Sequence, residues 1–455
     1  MTTYQSSDPE TIVALEKFIE EGNLVAVLEI LREMHPADQA KLFYSLNLEQ
    51  REFLIDELET PEIADIFDEL DDNQTLKAAR DIPLPRLAGI LDDMDPDEAA
   101  DLLGDLTGRE VRKTISLMEE PGEVLPLLRY PDETAGGRMT TDFLSLKPTE
   151  TVQEAIEYLR SYGLETDVPY YLFVVNQNRE LMGVLGLREL VCAQPQQLIS
   201  EIMEDQVISI EGMQDQEEAA QIMKHYDLQA LPVVNQLGRL VGVISHDDIL
   251  DVLVDESTED IYRLASVSDI ALEPESALLQ QLKGRLPWLL LNTLTALLAS
   301  WVISNFGDLF IKVAVLAFFQ SVVASQGGNA ASQNVAMIVR SLALGKVDPD
   351  KILPILLRQV VVGMLLGILI GVIVGLGVGY WQSNPWLGFV LGLALLGNML
   401  VASIVGTLAP LILELLGQDP AMASTVLVTA ITDVIGFLIF LSLAAWFLPL
   451  IQQFA

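Results

Sequence analysis

From Gly284 to the C-terminus the chain carries five apolar stretches, at about residues 286–306, 311–342, 354–380, 386–416 and 421–448. Each is long enough to cross a hydrocarbon core of roughly 30 Å. In lipid the backbone must satisfy its own hydrogen bonds, so such stretches are confined to helices. The expectation for this half is an α-helical polytopic membrane domain of five spans. Lys283 and Arg285 precede the first stretch, and Arg340, Lys346, Lys351 and Arg358 separate the second from the third. Lys312 is the only base on the opposite side. This bias predicts a cytoplasmic N-terminal half and a C-terminus outside.

Asp433 is the only charged residue after Pro420, and it sits inside the run Val426 to Leu448. A carboxylate near the bilayer centre costs roughly 2.5–3.5 kcal/mol on insertion scales, so it faces a partner or a water-filled path. The chain has no Lys or Arg after Arg358. The partner expected for Asp433 is therefore a proton, a hydrogen-bonding neighbour or a visiting cation, which points to cation transport. Thr429 lies one turn earlier on the same face. Asp419, in Asp419-Pro420-Ala421, is either a second acid at the cytoplasmic mouth or a helix N-cap. The second stretch contains the polar run Ser325 to Asn334, with Gly327-Gly328-Asn329 at its centre. Paired glycines and amides predict a local helix break whose carbonyls, with Asn329, face water or a hydrated ion. The alternative is a seam of small residues packed between helices.

The charge is unevenly placed. Six acids and six bases cancel from Gly284 onward, so the whole net charge of −39 falls on residues 1–283. Such a surface repels nucleic acid and anionic headgroups and attracts metal cations, although acidity also serves plain solubility. The single Cys192 excludes a disulfide framework and a cysteine zinc site. His35, His225 and His246 have no metal-ligand spacing. No nucleophile motif, phosphate loop or catalytic dyad is visible, so no enzymatic activity is expected.

Residues 10–131 read as short helices. Their openings repeat a cap, a proline and early acids: His35-Pro36-Ala37-Asp38, Thr60-Pro61-Glu62 and Asp95-Pro96-Asp97-Glu98. Apolar residues then recur at helical spacing, as in Ile63, Ile66, Phe67 and Leu70. A superhelical stack of helical hairpins is expected. Residues 139–255 contain a duplication: Val174-Val175-Asn176-Gln177 recurs as Val233-Val234-Asn235-Gln236, and Gly183-Val184 as Gly242-Val243. Each copy reads as a short strand, a helix, a strand hairpin and a second helix, starting at Met139 and at Met203. This segment resembles a tandem pair of CBS domains, an α/β unit that often binds adenosine nucleotides.

Downstream, the run from His246 to Asp260 is far more acidic than a helix needs. Asp248, Asp251, Asp255 and Glu259 share a face at three- and four-residue steps. Like charges so placed destabilise a helix by roughly 0.2–0.5 kcal/mol per pair. A solvated acidic face and a cation site are both compatible with this pattern.

With Gly327-Gly328-Asn329, Asp419-Pro420-Ala421 and Thr432-Asp433-Val434-Ile435-Gly436, this order of parts resembles the MgtE magnesium channels over essentially the whole chain. Two positions depart from the family pattern: Ala331 stands where glycine is more frequent, and Val426 where proline is usual. The resemblance implies an all-α superhelical domain over 1–131, CBS copies over 132–202 and 203–255, a connector over 256–284 and a pore domain over 285–455. It also implies a homodimer in the plasma membrane, with Asp433, Asp419, Thr429 and Asn329 serving the pore. Regulatory Mg²⁺ sites are implied at Asp65, Asp97, Asp101, Gly137, Asp215, Glu217, Asp227, Asp248, Asp251, Glu256, Glu259 and Asp260. A weaker carry-over places an adenosine nucleotide, ATP for example, at Tyr171, Arg188, Glu189 and Leu228. Leu228 offers no ring for base stacking. The ion itself suits the acids, since Mg²⁺ dehydrates reluctantly and is held through its waters by one or two carboxylates. Rival readings are a transporter of Co²⁺, Ni²⁺ or Mn²⁺, and a membrane-anchored metal or nucleotide sensor.

Overall fold

The computed structural model describes residue 18 and residues 23–80, 82–162, 170–267, 278–347, 352–422 and 425–454. Of the expected connector, 268–277 lie outside the described residues. The chain divides into two units, Met1–Leu253 and Val254–Ala455.

The first unit opens with α1 (Leu24–Leu31), α2 (Pro36–Ser45), α3 (Leu48–Glu57), α4 (Thr60–Asp68) and α5 (Asp72–Ala79). They are followed by α6 (Leu84–Asp93), α7 (Pro96–Asp105), α8 (Gly108–Ile115) and the one-turn α9 (Pro121–Val124). Packing runs between alternate helices: α2 on α4, α4 on α6, α6 on α8, and α5 on α7. That is the stacked-hairpin superhelix expected from the repeated openings. The caps differ in detail. His35 Nδ1 accepts from the Ala37 N–H at 3.3 Å. Thr60 is already helical, and the cap is Glu59, whose N–H donates to the Glu62 carboxylate at 2.9 Å.

The duplicated segment forms two three-stranded sheets. In the first, β1 (Ser145–Leu146) is followed by α10 (Val152–Tyr162), β2 (Tyr171–Val175), β3 (Leu181–Gly186), α11 (Leu187–Cys192) and the short α12 (Ile199–Ile202). In the second, β4 (Ile210–Glu211) is followed by α13 (Gln216–Tyr226), β5 (Ala230–Val234), β6 (Leu240–Ser245) and α14 (His246–Leu264). In each sheet the first strand is parallel and the last antiparallel to the middle one, with a register shift at matching places, Val174/Val175 and Val233/Val234.

The copies exchange their opening segments. Thr140 bridges Val243 of the second copy, and Glu204 bridges Val184 of the first. The glycines of the repeated Gly-Val pairs receive them. A Cβ on Gly183 would lie 2.6 Å from the Met203 sulfur, and one on Gly242 would strike Met139. Each copy still has its own first strand, β1 or β4, and the exchange concerns the residues ahead of it. Nor do the helical domain and the CBS pair have separate cores: Phe43, Phe67 and Leu103 belong to one apolar cluster with Met139, Ala219, Leu231 and Ile249.

The second unit contains the last turns of α14, then α15 (Leu278–Ser304), the short α16 (Gly307–Lys312), α17 (Leu316–Ala343), α18 (Ile352–Trp381), α19 (Pro385–Leu415), α20 (Thr425–Trp446) and α21 (Leu448–Ile451). Among the described residues, α15, α18, α19 and α20 are long and apolar enough to cross a membrane. At 28 residues α17 is also long enough, and its polar positions are what lower its hydropathy. It packs against both α19 and α20, so the five-span reading holds. Outward positions such as Leu357, Leu365, Leu369 and Leu376 are apolar, as a lipid-facing surface requires.

The expected break in the second span is absent. Helix α17 runs unbroken through Ser325–Asn334. Its small residues are spent on close contact: Gly327, Gly328 and Ala331 are buried. Opposite Ala331 the small residue is on α19, where a Cβ on Gly406 would lie 2.6 Å from the Ala331 carbonyl oxygen. Ser332 Oγ bonds back to the Gly328 carbonyl at 2.9 Å, inside the helix. The packing-seam alternative is the one realised.

Candidate metal centres

In the second unit, Thr429, Asp433 and Gly436 form one stripe of α20 at helical spacing. Both ends of the stripe meet neighbouring helices. A Cβ on Gly328 of α17 would sit 3.0 Å from Thr429 Cγ2, and one on Gly436 would sit 2.6 Å from Asn398 Nδ2 of α19. Asp433, between them, is therefore turned toward the α17–α19–α20 seam and is partly buried. Among the described residues it has no hydrogen bond or ion pair. Thr429 Oγ1 donates to the Val426 carbonyl at 3.1 Å. Asn329 is exposed, on the far side of α17 from Gly327, so the chain by itself does not bring it to Asp433.

Asp419 resolves differently from Asp433. Its Oδ1 accepts from the Ala421 N–H at 2.7 Å, capping the single turn Pro420–Met422. Its Oδ2 pairs with Arg263, and the same guanidinium pairs with Glu259 one turn earlier on α14. The capping alternative for Asp419 is the one realised, and its second oxygen is engaged by a base absent from the expected set. Arg263 is the only base between Arg239 and Lys283, which was the available signal. Burial raises the Asp260 pKa above the usual range, with Arg340 opposing. Glu256 is partly buried on the same helix.

In the first unit, α7, the Gly137 turn and the start of α14 bring Asp97, Glu98, Asp101, Gly137, Arg138, Asp248 and Asp251 around a cleft of about 30 Å³. Burial, then the nearby Asp248 and Asp95 charges, push Asp97 well above the usual carboxylate range. Burial and the Asp247 and Asp95 charges also raise Asp248, against hydrogen bonds from Ser245. Those bonds reflect a capping role: Asp248 accepts from the Ser245 hydroxyl and from its N–H at 3.2 Å. Asp65 is raised by burial first, then by Glu62 and Asp93, and lies outside the cleft lining. Arg138, absent from the residues expected at this site, pairs with Asp101 at 3.8 Å and donates through Nε to Gln216 Oε1 at 2.9 Å. Gly137 admits no side chain, since a Cβ would lie 2.5 Å from the Pro131 carbonyl. Acids crowded in this way gain from any cation that enters. Among the described residues, however, no three His, Cys, Asp or Glu side chains are drawn together closely enough to hold an ion.

Asp215 and Asp227 stand at opposite ends of α13. Asp215 caps its start, accepting from the Glu217 N–H at 2.8 Å, and Asp227 ends it in the left-handed conformation. An 11-residue helix is about 16 Å long, so these two cannot share one ion. At the nucleotide positions, Arg188 and Glu189 are exposed and paired at 3.1 Å. Tyr171 and Leu228 pack against different apolar clusters. The donor set fits a nucleotide in part: a guanidinium suits phosphate and a carboxylate suits ribose hydroxyls, with no aromatic ring at Leu228.

Comparison with known proteins accords with this arrangement. A family model described as MgtE, divalent cation transporter, matches residues 320–443, one for the MgtE intracellular N domain matches 34–133, and CBS domains match 135–195 and 199–255. The magnesium transporter MgtE of Thermus thermophilus is 35% identical over 95% of this chain and 97% of its own length. That of Enterococcus faecalis is 36% identical over 92% and 93%. The crystal structure of the cytosolic domain of the Mg²⁺ channel MgtE in complex with ATP is 33% identical, with a TM-score of 0.50, and covers 53% of this chain and 99% of that one. With relatives of 35% and 36% identity over nearly its full length, the chain belongs to the MgtE family of magnesium transporters.

Proposed function

We propose that this protein is a Mg²⁺-selective channel of the plasma membrane, closed by cytosolic Mg²⁺ bound among its acidic helical, CBS and connector regions. The observation that carries the reading is Asp433: a charged side chain facing a helix seam, inside a membrane span, without a protein partner among the described residues. In a homodimer two such carboxylates flank one path and hold a hydrated dication without stripping it. The crowding at Asp97 and Asp248 supports the regulatory half, because a cation there removes the repulsion that burial has raised. The N-terminal half lies in the cytoplasm and the C-terminus outside, as the distribution of bases suggests. ATP at the CBS pair is a lesser part of the reading, supported by the Arg188–Glu189 pair and by the relative crystallised with it; calorimetry with ATP tests it. A second reading, transport of Mn²⁺, Co²⁺ or Ni²⁺, is favoured by the family description as a divalent cation transporter and by the inability of oxygen ligands to exclude Mn²⁺. Metal uptake into proteoliposomes, with these ions competing, separates the two. Uptake dominated by Mg²⁺ supports the first reading, and preferential Mn²⁺, Co²⁺ or Ni²⁺ uptake supports the second.

A further inference from the structure

Asn398 of α19 is almost completely buried, at 1% exposure, in the apolar interior of the membrane domain. Its Nδ2 donates to the Val323 carbonyl of α17 at 2.8 Å, one turn before Gly327. Its Oδ1 is enclosed and has no hydrogen-bond partner among the described residues. The amide lies in a slot bounded by two glycines on two helices: a Cβ on Gly327 would collide with it, and one on Gly436 would reach within 2.6 Å of Nδ2. Gly436 is three residues after Asp433, on the same stripe of α20.

Stability alone does not account for this residue. A leucine of the same branched shape would leave no unmet acceptor in the slot, and an unmet buried acceptor is costly. A polar side chain that bonds one helix and fills a slot against another fixes their relative position, as interhelical hydrogen bonds do in membranes. From this juxtaposition we propose that Asn398 is a positioning residue for ion discrimination, holding α17 and α20 so that the Asp433 carboxylate stands at a fixed place in the seam. Ion selection is sensitive to placement on the ångström scale, as other preorganised sites are. The inference rests on the reading of Asp433 as the pore acid.

The test uses the full-length chain in proteoliposomes, with Mg²⁺ uptake measured against competing Ca²⁺. Asn398→Leu removes both polar ends while keeping the branched shape. The double variant Asn398→Ala/Gly436→Ala removes the amide and returns a methyl group to the vacated slot. Both are expected to fold and to transport, with discrimination against Ca²⁺ reduced about tenfold, the equivalent of one interhelical hydrogen bond of about 1.4 kcal/mol. Wild-type discrimination in either amide-free variant would overturn the proposal, because packing alone would then suffice. Failure of both to fold would also overturn it, in favour of a folding role. Asp433→Asn is run alongside: wild-type discrimination there would sink the underlying reading, whereas its loss there, with none in the Asn398 variants, sinks only this inference.

Discussion

Replacing Arg263 by glutamine removes one guanidinium from between two carboxylates. The side chain of Glu259 is 10% exposed, that of Asp419 26% and that of Arg263 33%. Exposed pairs contribute roughly 0–1 kcal/mol, whereas stripping one partner from a fully buried pair costs roughly 3–5 kcal/mol. These side chains lie between the two limits, and a third of the arginine is screened by solvent, so about 2 kcal/mol is reasonable. That is a factor of about 30 in the population in which α14 is held to the Asp419 turn. A Mg²⁺ ion bridging the same acids can restore it, since a ligand at 100 times its Kd contributes about 2.7 kcal/mol. Arg263→Gln should therefore raise the cytosolic Mg²⁺ concentration needed to shut the channel, by up to about 30-fold, and leave ion preference alone. Arg263→Lys keeps a charge but loses the fork that serves two acids, and should fall between. The assay is the inhibition curve of Mg²⁺ current in inside-out patches. A curve superimposed on wild type would refute the link between this ion pair and closure. A shift to lower Mg²⁺ would show that Arg263 competes with the ion instead of acting beside it.

The cleft acids should make the first unit sensitive to pH. Asp97 and Asp248 are raised in the folded form, so they stabilise it when protonated, and that stability is lost as pH rises through their raised values. In EDTA, acidification from neutral pH should make residues 1–253 more resistant to proteolysis, and with saturating Mg²⁺ it should change little. Greater digestion at the lower pH in EDTA would reverse the sign and reject the argument. In the membrane domain, Gly406→Ala sets a Cβ 2.6 Å from a backbone oxygen that cannot rotate away. It should cost roughly 1–3 kcal/mol and lower the unfolding temperature in detergent. Gly377→Ala, with nothing within 4 Å, should be neutral; equal effects of the two would deny the close approach of α17 and α19.

What was legible in the sequence was mostly local. Proline after a cap, early acids and helical spacing placed α2, α4 and α7, because each signal concerns residues within one turn. The duplication was equally visible in Val174-Val175 and Val233-Val234. The exchange of Met139 and Met203 between copies was not, since nothing in a strand's own residues says which sheet it joins. The glycines at 327 and 328 carried an ambiguous signal: small residues permit both a break and a tight seam, and only Asn398 and Gly406 on another helix decide between them. Arg263 and Asp419 are 156 residues apart, and Arg138 and Asp101 belong to different elements. Charge balance was compatible with bound cations or with plain solubility, and the fold sets two bases from the chain itself, Arg263 and Arg138, against some of the acids. Asp433 was the reverse case, singular enough in its apolar run to stand out as a candidate from sequence alone.

Asp433 is proposed to select the ion, and cytosolic Mg²⁺ to close the path. Mg²⁺ current through wild type and Asp433→Asn in inside-out patches, with Mg²⁺ raised on the cytosolic face, tests both parts at once. The expected results are a wild-type current that favours Mg²⁺ over Ca²⁺ and falls as cytosolic Mg²⁺ rises, and an Asp433→Asn protein that remains folded but has lost that preference. An Asp433→Asn channel with wild-type Mg²⁺ preference, or a wild-type current indifferent to cytosolic Mg²⁺, would contradict it.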